Sequence, residues 1–301
     1  VRRVLFTLLA LFLAVTGGAL WYASNKGFTS KWRGYVSEEF RKRGVEVTLR
    51  KLTLDLRRGL VAKEVRVFDA RDRRRTLAVI DEMALQVNYA NLARGQTFID
   101  ALDLRDANLS LPLDPEKPRG PKLEIVRLNA RLFLPPRQIY LASADAEIFG
   151  LRVSAAGRLI HPEALPRRAP TGEGWSPELI ARIFAEISAV KIEGEAPVMN
   201  ITFSGDLAAP EQLFVEAALW GEGLRRNSYL LKSLYVAASY RGGILDLKQL
   251  VATDAAGELH VAGLWDFAAK QGRMQLRSSL DAPALARASG DFPWLNDLVL
   301  Y

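Results

Sequence analysis

Side chains that could do chemistry are few in this chain. Its 301 residues include no cysteine and two histidines, His161 and His260. Disulfides, thiolate metal sites and lipidation through cysteine are therefore excluded. His161 precedes a proline in a Pro/Gly-rich stretch, and His260 alternates with Leu259 and Val261, as a solvent-facing strand residue would. Neither has a second His or Cys with which to share an ion, so no metal site is expected. The acidic pairs Glu38/Glu39, Asp81/Glu82 and Glu193/Glu195 have the residue types for acid–base hydrolysis. They suit solvated faces and turns equally well, and nothing selects one pair. No GxSxG elbow, GxxxxGK[ST] loop or GxGxxG turn is present, and GEG at 221–223 reads as a loop. A non-enzyme without a cofactor is expected.

The strongest charge feature is basic and local. Residues 1–75 hold 18 Lys/Arg against 7 Asp/Glu, a net +11, whereas the remainder holds 23 against 27, a net −4. Within that quarter the run RDRRR at 71–75 supplies Arg73, Arg74 and Arg75. It is either a solvated hairpin tip or a contact for anionic headgroups. Nucleic-acid binding needs aromatics interleaved with the cations. Phe68 alone stands near the run, so no nucleic-acid partner is expected.

The elements that would position these groups begin with an apolar segment. Residues 4–25, VLFTLLALFLAVTGGALWYASN, are 22 residues without a charge. At ~1.5 Å per residue, about 20 of them cross a ~30 Å hydrocarbon layer. Arg2 and Arg3 precede the run, and Trp21 and Tyr22 fit an interfacial belt. An uncleaved transmembrane anchor over 1–25 is expected. A signal peptide cut after Ala19 competes, with a buried helix as a third reading, but large residues follow Ala19 and the apolar run continues. Basic residues on both flanks leave the orientation open by charge alone.

Residues 28–44, FTSKWRGYVSEEFRKRG, read as one helix with Phe28, Trp32, Tyr35, Val36 and Phe40 on one face and Glu39 intruding. Such a helix packs on a sheet or lies on a membrane. In the second case Trp32, Tyr35 and Phe40 would touch the membrane surface together with Arg73, Arg74 and Arg75.

From Val45 the period becomes two. Val47 and Leu49 alternate, then Leu52, Leu54 and Leu56, and the parity switch at Arg50-Lys51 predicts a bulge or short turn. Gly59 breaks the run before Val65 and Val67. Leu77, Val79, Met83, Leu85, Val87 and Tyr89 form a further alternating stretch. Leu102/Leu104, Leu109/Leu111 and later pairs continue to Leu151/Val153. Turn residues every 6–12 positions give the antiparallel meander signature. Residues 161–190 are a Pro/Gly-rich linker and a helix capped by Ser176, after which strands return as far as Met274/Leu276. This divides the chain into an anchor, a β domain at 26–160, the linker with its helix, and a β region at 191–301. The apolar end LNDLVLY predicts that the protein continues beyond Tyr301. Two amphipathic helices cannot cover well over a dozen one-sided strands. The apolar face left over must close on itself, meet another chain or meet lipid.

The stretches GVEVTLRKLTLDLRRGLVAKEVRVFDA at 44–70, IDALDLRDANLSLPLD at 99–114 and GGILDLKQLVATDAAGELHVAGLWDF at 242–267 follow the apolar segment and aromatic helix. In this order they resemble the AsmA-like family, AsmA/TamB-type bacterial envelope proteins related to chorein-type bridge-like lipid-transfer proteins. The linker and helix at 161–189 have no counterpart in that resemblance. It implies a mainly β fold: a transmembrane helix, an amphipathic helix, then a long curved antiparallel sheet with an apolar concave face. It implies an inner-membrane protein with its bulk in the periplasm that holds or conducts phospholipid acyl chains. The lining candidates are Leu54, Leu56, Val65, Val67, Leu85, Val87, Leu102, Leu104, Leu109 and Leu111, whose alternative reading is ordinary sandwich core. The alternative function is a periplasmic scaffold that binds envelope proteins through its sheet edges.

Overall fold

A computed structural model describes residues 27–42, 45–55, 58–69, 76–112, 120, 122–161, 189–227 and 229–280. The expected anchor, Leu56, Arg73, Arg74, Arg75 and the helix opening at Ser176 lie outside these residues. Among the described residues no helix is long and apolar enough to cross a membrane. The chain is mainly β and forms two compact units, one of residues 1–111 and 126–135, the other of 112–125 and 136–301. The division differs from the boundary expected at 161–190, because strands on either side of that linker pair directly within the second unit.

The first unit contains α1 (Ser30–Lys42), β1 (Glu46–Asp55), β2 (Gly59–Phe68), β3 (Thr76–Val87), the short α2 (Tyr89–Ala93), β4 (Ile99–Pro112) and most of β5 (Lys122–Phe133). Strands β1 to β4 pair antiparallel in chain order. Their registers stack apolar residues in four ladders. Val47, Val67, Ala78 and Leu109 form one, and Leu49, Val65, Ile80 and Ala107 the next. Leu52, Ala62, Met83 and Leu104 form the third, and Leu54, Leu60, Leu85 and Leu102 the fourth.

A strict period of two cannot put all four ladders on one face, because two residues separate Leu49 from Leu52, Ala62 from Val65, Ile80 from Met83, and Leu104 from Ala107. The parity expected to switch at Arg50-Lys51 switches in every one of these strands. Glu64 and Asp106, within the switches of β2 and β4, have φ of 51° and 49°, yet the register runs through the switches unshifted, so no residue is inserted and the bulge or turn expected at Arg50-Lys51 is not formed. Arg50, in the β1 switch, reaches across to Glu64 with Nη1 2.9 and 2.8 Å from the two carboxylate oxygens. The switches therefore form an aligned row across strands in unshifted register, and the apolar ladders on both sides of the row share one face. In β3 this corrects the expected pattern. Ala78 and Ile80 are the buried pair and Val79 is 42% exposed, because the switch lies at Asp81-Glu82.

Helix α1 covers these ladders. Val36 and Phe40 are buried with Leu52, Val65, Leu85 and Ile99 in one cluster. Glu39, which interrupts the apolar stripe, is only 1% exposed, and its carboxylate accepts a hydrogen bond from the backbone N–H of Phe98 at 3.1 Å. A buried carboxylate is tolerated when it is bonded in this way. On the sheet, Glu82 collects Arg58 and Lys63. Burial pushes its carboxyl up, but the hydrogen bonds from Arg58 and Lys63 outweigh that and hold it below the usual carboxylate range.

The second unit contains β6 (Gln138–Ile148), β7 (Leu151–Ile160), β8 (Lys191–Ile192), β9 (Val198–Asp206), β10 (Ala209–Arg226), β11 (Tyr229–Arg241), β12 (Ile244–Thr253), β13 (Glu258–Asp266) and β14 (Gln271–Ser278). The GEG expected as a loop is part of β10. Two-residue turns close hairpins at Phe149-Gly150 and Gly242-Gly243, all with positive φ, as the twist of paired strands favours. One pairing breaks the expected antiparallel meander. β7 and β9 run parallel, from Arg152 opposite Val198 to Ile160 opposite Asp206. Parallel neighbours need a long crossover, and the segment expected to be a domain linker supplies it.

Full burial of Leu85 on the helix-covered face makes its truncation costly. Leu85→Ala is expected to lower unfolding stability by about 2–5 kcal/mol, and Val79→Ala, on the opposite face, by under about 1 kcal/mol. Urea titrations of the two variants check this, and equal losses would overturn the assignment of faces.

Candidate functional site

Of the lining positions expected from sequence, Val65 and Leu85 have no accessible surface and belong to the core under α1. Leu54, Val67, Val87, Leu102, Leu104 and Leu109 are half-buried and packed against that core, and Leu111 is half-buried. The structure thus gathers these residues on one face, as the alternation implied, and that face has a cover. Phe40 is also core, whereas Trp32 and Tyr35 stand exposed.

The second unit carries a longer apolar face. Registers from β6 to β14, with β8 lying apart, align three ladders eight strands wide. One runs through Ala146, Val153, Met199, Leu219, Val236, Leu250, Val261 and Leu276. Another runs through Leu141, Gly157, Phe203, Val215, Tyr240, Leu245, Trp265 and Gly272. Between them lie Ala144, Ala155, Ile201, Ala217, Ala238, Leu247, Gly263 and Met274. A bulge at Lys248-Gln249 keeps Leu247 and Leu250 on the same side.

Five of the eight residues of the middle ladder are Ala or Gly, and Ile201, Leu247 and Met274 rise between them, so the furrow between the two outer rows is shallow and interrupted. Strand spacing of ~4.8 Å and a two-residue step of ~6.6 Å give these ladders roughly 450 Å² between outer backbone positions. Among the described residues no helix packs on this face. Most of its side chains are half-buried, while Val215, Trp265, Leu276 and Met274 are 36%, 45%, 43% and 68% exposed. Near the β14 end Leu245, Leu247, Trp265 and Met274 line a hollow of about 230 Å³ whose walls are almost wholly apolar.

Gly157 shows how closely the strands approach. A Cβ there would lie 2.2 Å from the carbonyl oxygen of Phe203 and 2.6 Å from its ring. The Phe203 ring occupies the space that a side chain at Gly157 would need. The alternation of Leu213/Val215/Ala217/Leu219 and Leu234/Val236/Ala238/Tyr240 was legible from sequence. What could not be read was that these rows, rather than those near Leu54, would be left without a described covering helix.

Polar groups in this unit brace turns and strand ends. His161 Nδ1 lies 2.8 and 3.0 Å from the two Asp206 oxygens, tying the start of the crossover to the end of β9. The hydrogen bond from His161, with a second from the Ala208 N–H, holds the Asp206 carboxyl below the usual carboxylate range. His260 Nε2 lies 2.9 Å from an oxygen of Glu258, a strand neighbour on the same face. Buried Asp254 accepts from the Tyr229 hydroxyl at 2.8 Å and from the Ala256 and Gly257 N–H groups at 2.6 and 2.8 Å, an Asx turn locked to the adjacent strand. A larger hollow of about 780 Å³ follows β12 to β14 past His260, with polar and apolar groups mixed in its wall. Its Lys248 is paired with Glu216 and its His260 with Glu258.

A depressed folded pKa stabilises above the unfolded value, near ~3.9 for Asp, and that contribution is lost as pH falls through the folded value. Asp206→Asn is therefore expected to be less stable than the parent at neutral pH, with the two converging as pH drops below about 4. Urea midpoints at successive pH values check this, and a pH-independent difference would contradict it.

No protein-family model, curated protein or solved structure matches the chain.

Proposed function

We propose that the protein is a membrane-associated, non-enzymatic carrier that holds phospholipid acyl chains along the furrowed apolar face of its second unit. The carrying observation is that face: three ladders eight strands wide, lined with small residues along its middle and with no described helix upon it. Monomeric proteins rarely present contiguous apolar patches beyond a few hundred Å². An acyl chain suits such a furrow because it needs no hydrogen bonds and can follow a groove that crosses strands. Support for a membrane setting comes from sequence: the uncharged run at 4–25 and the +11 charge of residues 1–75. The resemblance to AsmA-like proteins agrees, and with it the inner membrane of a bacterial envelope is the proposed location. In this proposal the first unit is the closed foundation and the second carries the lipid.

A scaffold that pairs strands with an envelope protein is the second reading. It is favoured by β14, every residue of which is exposed at the end of the second unit's strand order.

Native mass spectrometry of the detergent-extracted protein is expected to show bound phospholipid. Ala238→Phe, which fills the furrow on the lipid-facing side, should reduce that lipid several-fold while leaving thermal unfolding close to the parent's. Photo-crosslinkers at Val236 and Leu247 should label lipid, and one at Ser239, on the opposite face, should not. Absence of lipid from the parent, or adducts to protein alone at Val236 and Leu247, would reject lipid carriage in favour of the scaffold.

A further inference from the structure

We infer that the exposed flank of α1 seats the first unit on the surface of an anionic phospholipid bilayer. α1 carries more apolar surface than its core contact uses. Val36, Glu39 and Phe40 are buried, yet Trp32 and Tyr35 remain 40% and 48% exposed. These rings form a connected group, with Phe28 5.6 Å from Trp32 and Trp32 5.9 Å from Tyr35.

Lys31, Tyr35 and Lys42 follow at i, i+4 and i+11, which brings them to one flank of the helix. Both lysines are exposed, and among the described residues neither forms an ion pair. Glu38, the acid beside them, is neutralised by Arg41 at 2.6 Å. The flank therefore presents a tryptophan, a tyrosine and two unpaired cations.

Trp and Tyr favour the boundary between hydrocarbon and headgroups, where one side of the ring is apolar and the other wet. Unpaired lysines beside them complement anionic headgroups. The centre of a protein–protein interface, by contrast, is depleted in lysine, so the charge pattern favours lipid over a protein partner. Sequence supplies the reach. The uncharged run ends at residue 25, five positions before Ser30, and five extended residues span no more than about 18 Å.

The seat is independent of lipid carriage, since it uses α1 of the first unit and not the furrow of the second. The chain has no cysteine, so single cysteines can carry a nitroxide in the full-length protein reconstituted into phosphatidylethanolamine–phosphatidylglycerol vesicles. Gly34→Cys is the internal control, because it lies on the side of α1 turned away from the aromatic flank and a Cβ there meets nothing within 4 Å. Labels at Trp32→Cys and Tyr35→Cys should be several-fold less accessible to a water-soluble relaxation agent than the label at Gly34→Cys, and more accessible to oxygen, which concentrates in lipid. Lys31→Glu combined with Lys42→Glu should return the Tyr35 label toward aqueous accessibility. Equal aqueous access at all three positions overturns the seat. Shielding from both agents overturns it too, because it identifies a protein contact. Bound phospholipid in the native mass spectrum without shielding at Tyr35 would leave lipid carriage standing and remove the seat alone.

Discussion

Successive side chains on a strand point to opposite faces, and everything in this protein depends on how that alternation is kept or interrupted. A one-residue slip turns the whole apolar set of a strand toward solvent. In the first unit each of β1 to β4 instead switches which side chains face inward, at the same level of the sheet and with no shift of register there. Arg50, Glu64, Asp81 and Asp106 occupy the row of interruptions, and the apolar ladders on both sides of it share one face. Had one strand kept a strict period, half of its Leu and Val would face water opposite the core of its neighbour. Fully burying one such side chain contributes about 1.5–3 kcal/mol, so a single misplaced strand would cost several of these. An aligned row of parity switches is the arrangement in which no strand incurs that loss.

Once the ladders share a face, that face must be covered, and the two units differ in how this is met. In the first, α1 supplies Val36 and Phe40, and Glu39 comes with them because its carboxylate finds the Phe98 N–H. In the second unit, bulges at Ala142-Ser143 and Lys248-Gln249 keep the ladders on one face, but among the described residues no helix lies on them. Many of its apolar side chains are half-buried only by their neighbours in the sheet. Small residues along the middle ladder then matter, since no helix among the described residues adds packing from above. Where Ala217, Ala238 and Gly263 stand, the larger residues on either side form banks rather than a continuous surface.

Much of this was legible in the residues. Alternation located nearly every strand, and the parity switch at Arg50-Lys51 is present, but β1 passes through it without the bulge or turn expected there. The same switch in β3 was hidden because Val79 looks as apolar as Ile80, and only the register with Ala107 and Leu109 shows which of them faces inward. The stripe on the α1 sequence was legible, but its division was not: Phe40 faces the sheet while Trp32 and Tyr35 face outward, and that depends on the angle at which the helix lies. The parallel pairing of β7 with β9 was also invisible, because hydrophobic pattern does not encode strand direction. For the site, composition showed that too little helix was available to cover the strands. Which ladders that helix would cover is a tertiary matter, and the lining expected near Val65 and Leu85 is closed core.

In the proposal of lipid carriage, the distinction between core and conduit is one of side-chain size across strands. Along a single strand of the second unit the sequence is that of any half-buried strand, as in Leu213, Val215, Ala217 and Leu219. Across the strands, the registers place Ala144 beside Ala155 and Ala217 beside Ala238, with Ile201 standing between the two pairs. Interdigitating side chains of two packed layers fill space most evenly when large and small alternate, whereas here the alanines stand in adjacent pairs before each larger residue. In the lipid-carriage proposal, a long guest without polar groups lies along these small residues. The furrow is thus the part of this fold that packing within the sheet alone leaves unexplained.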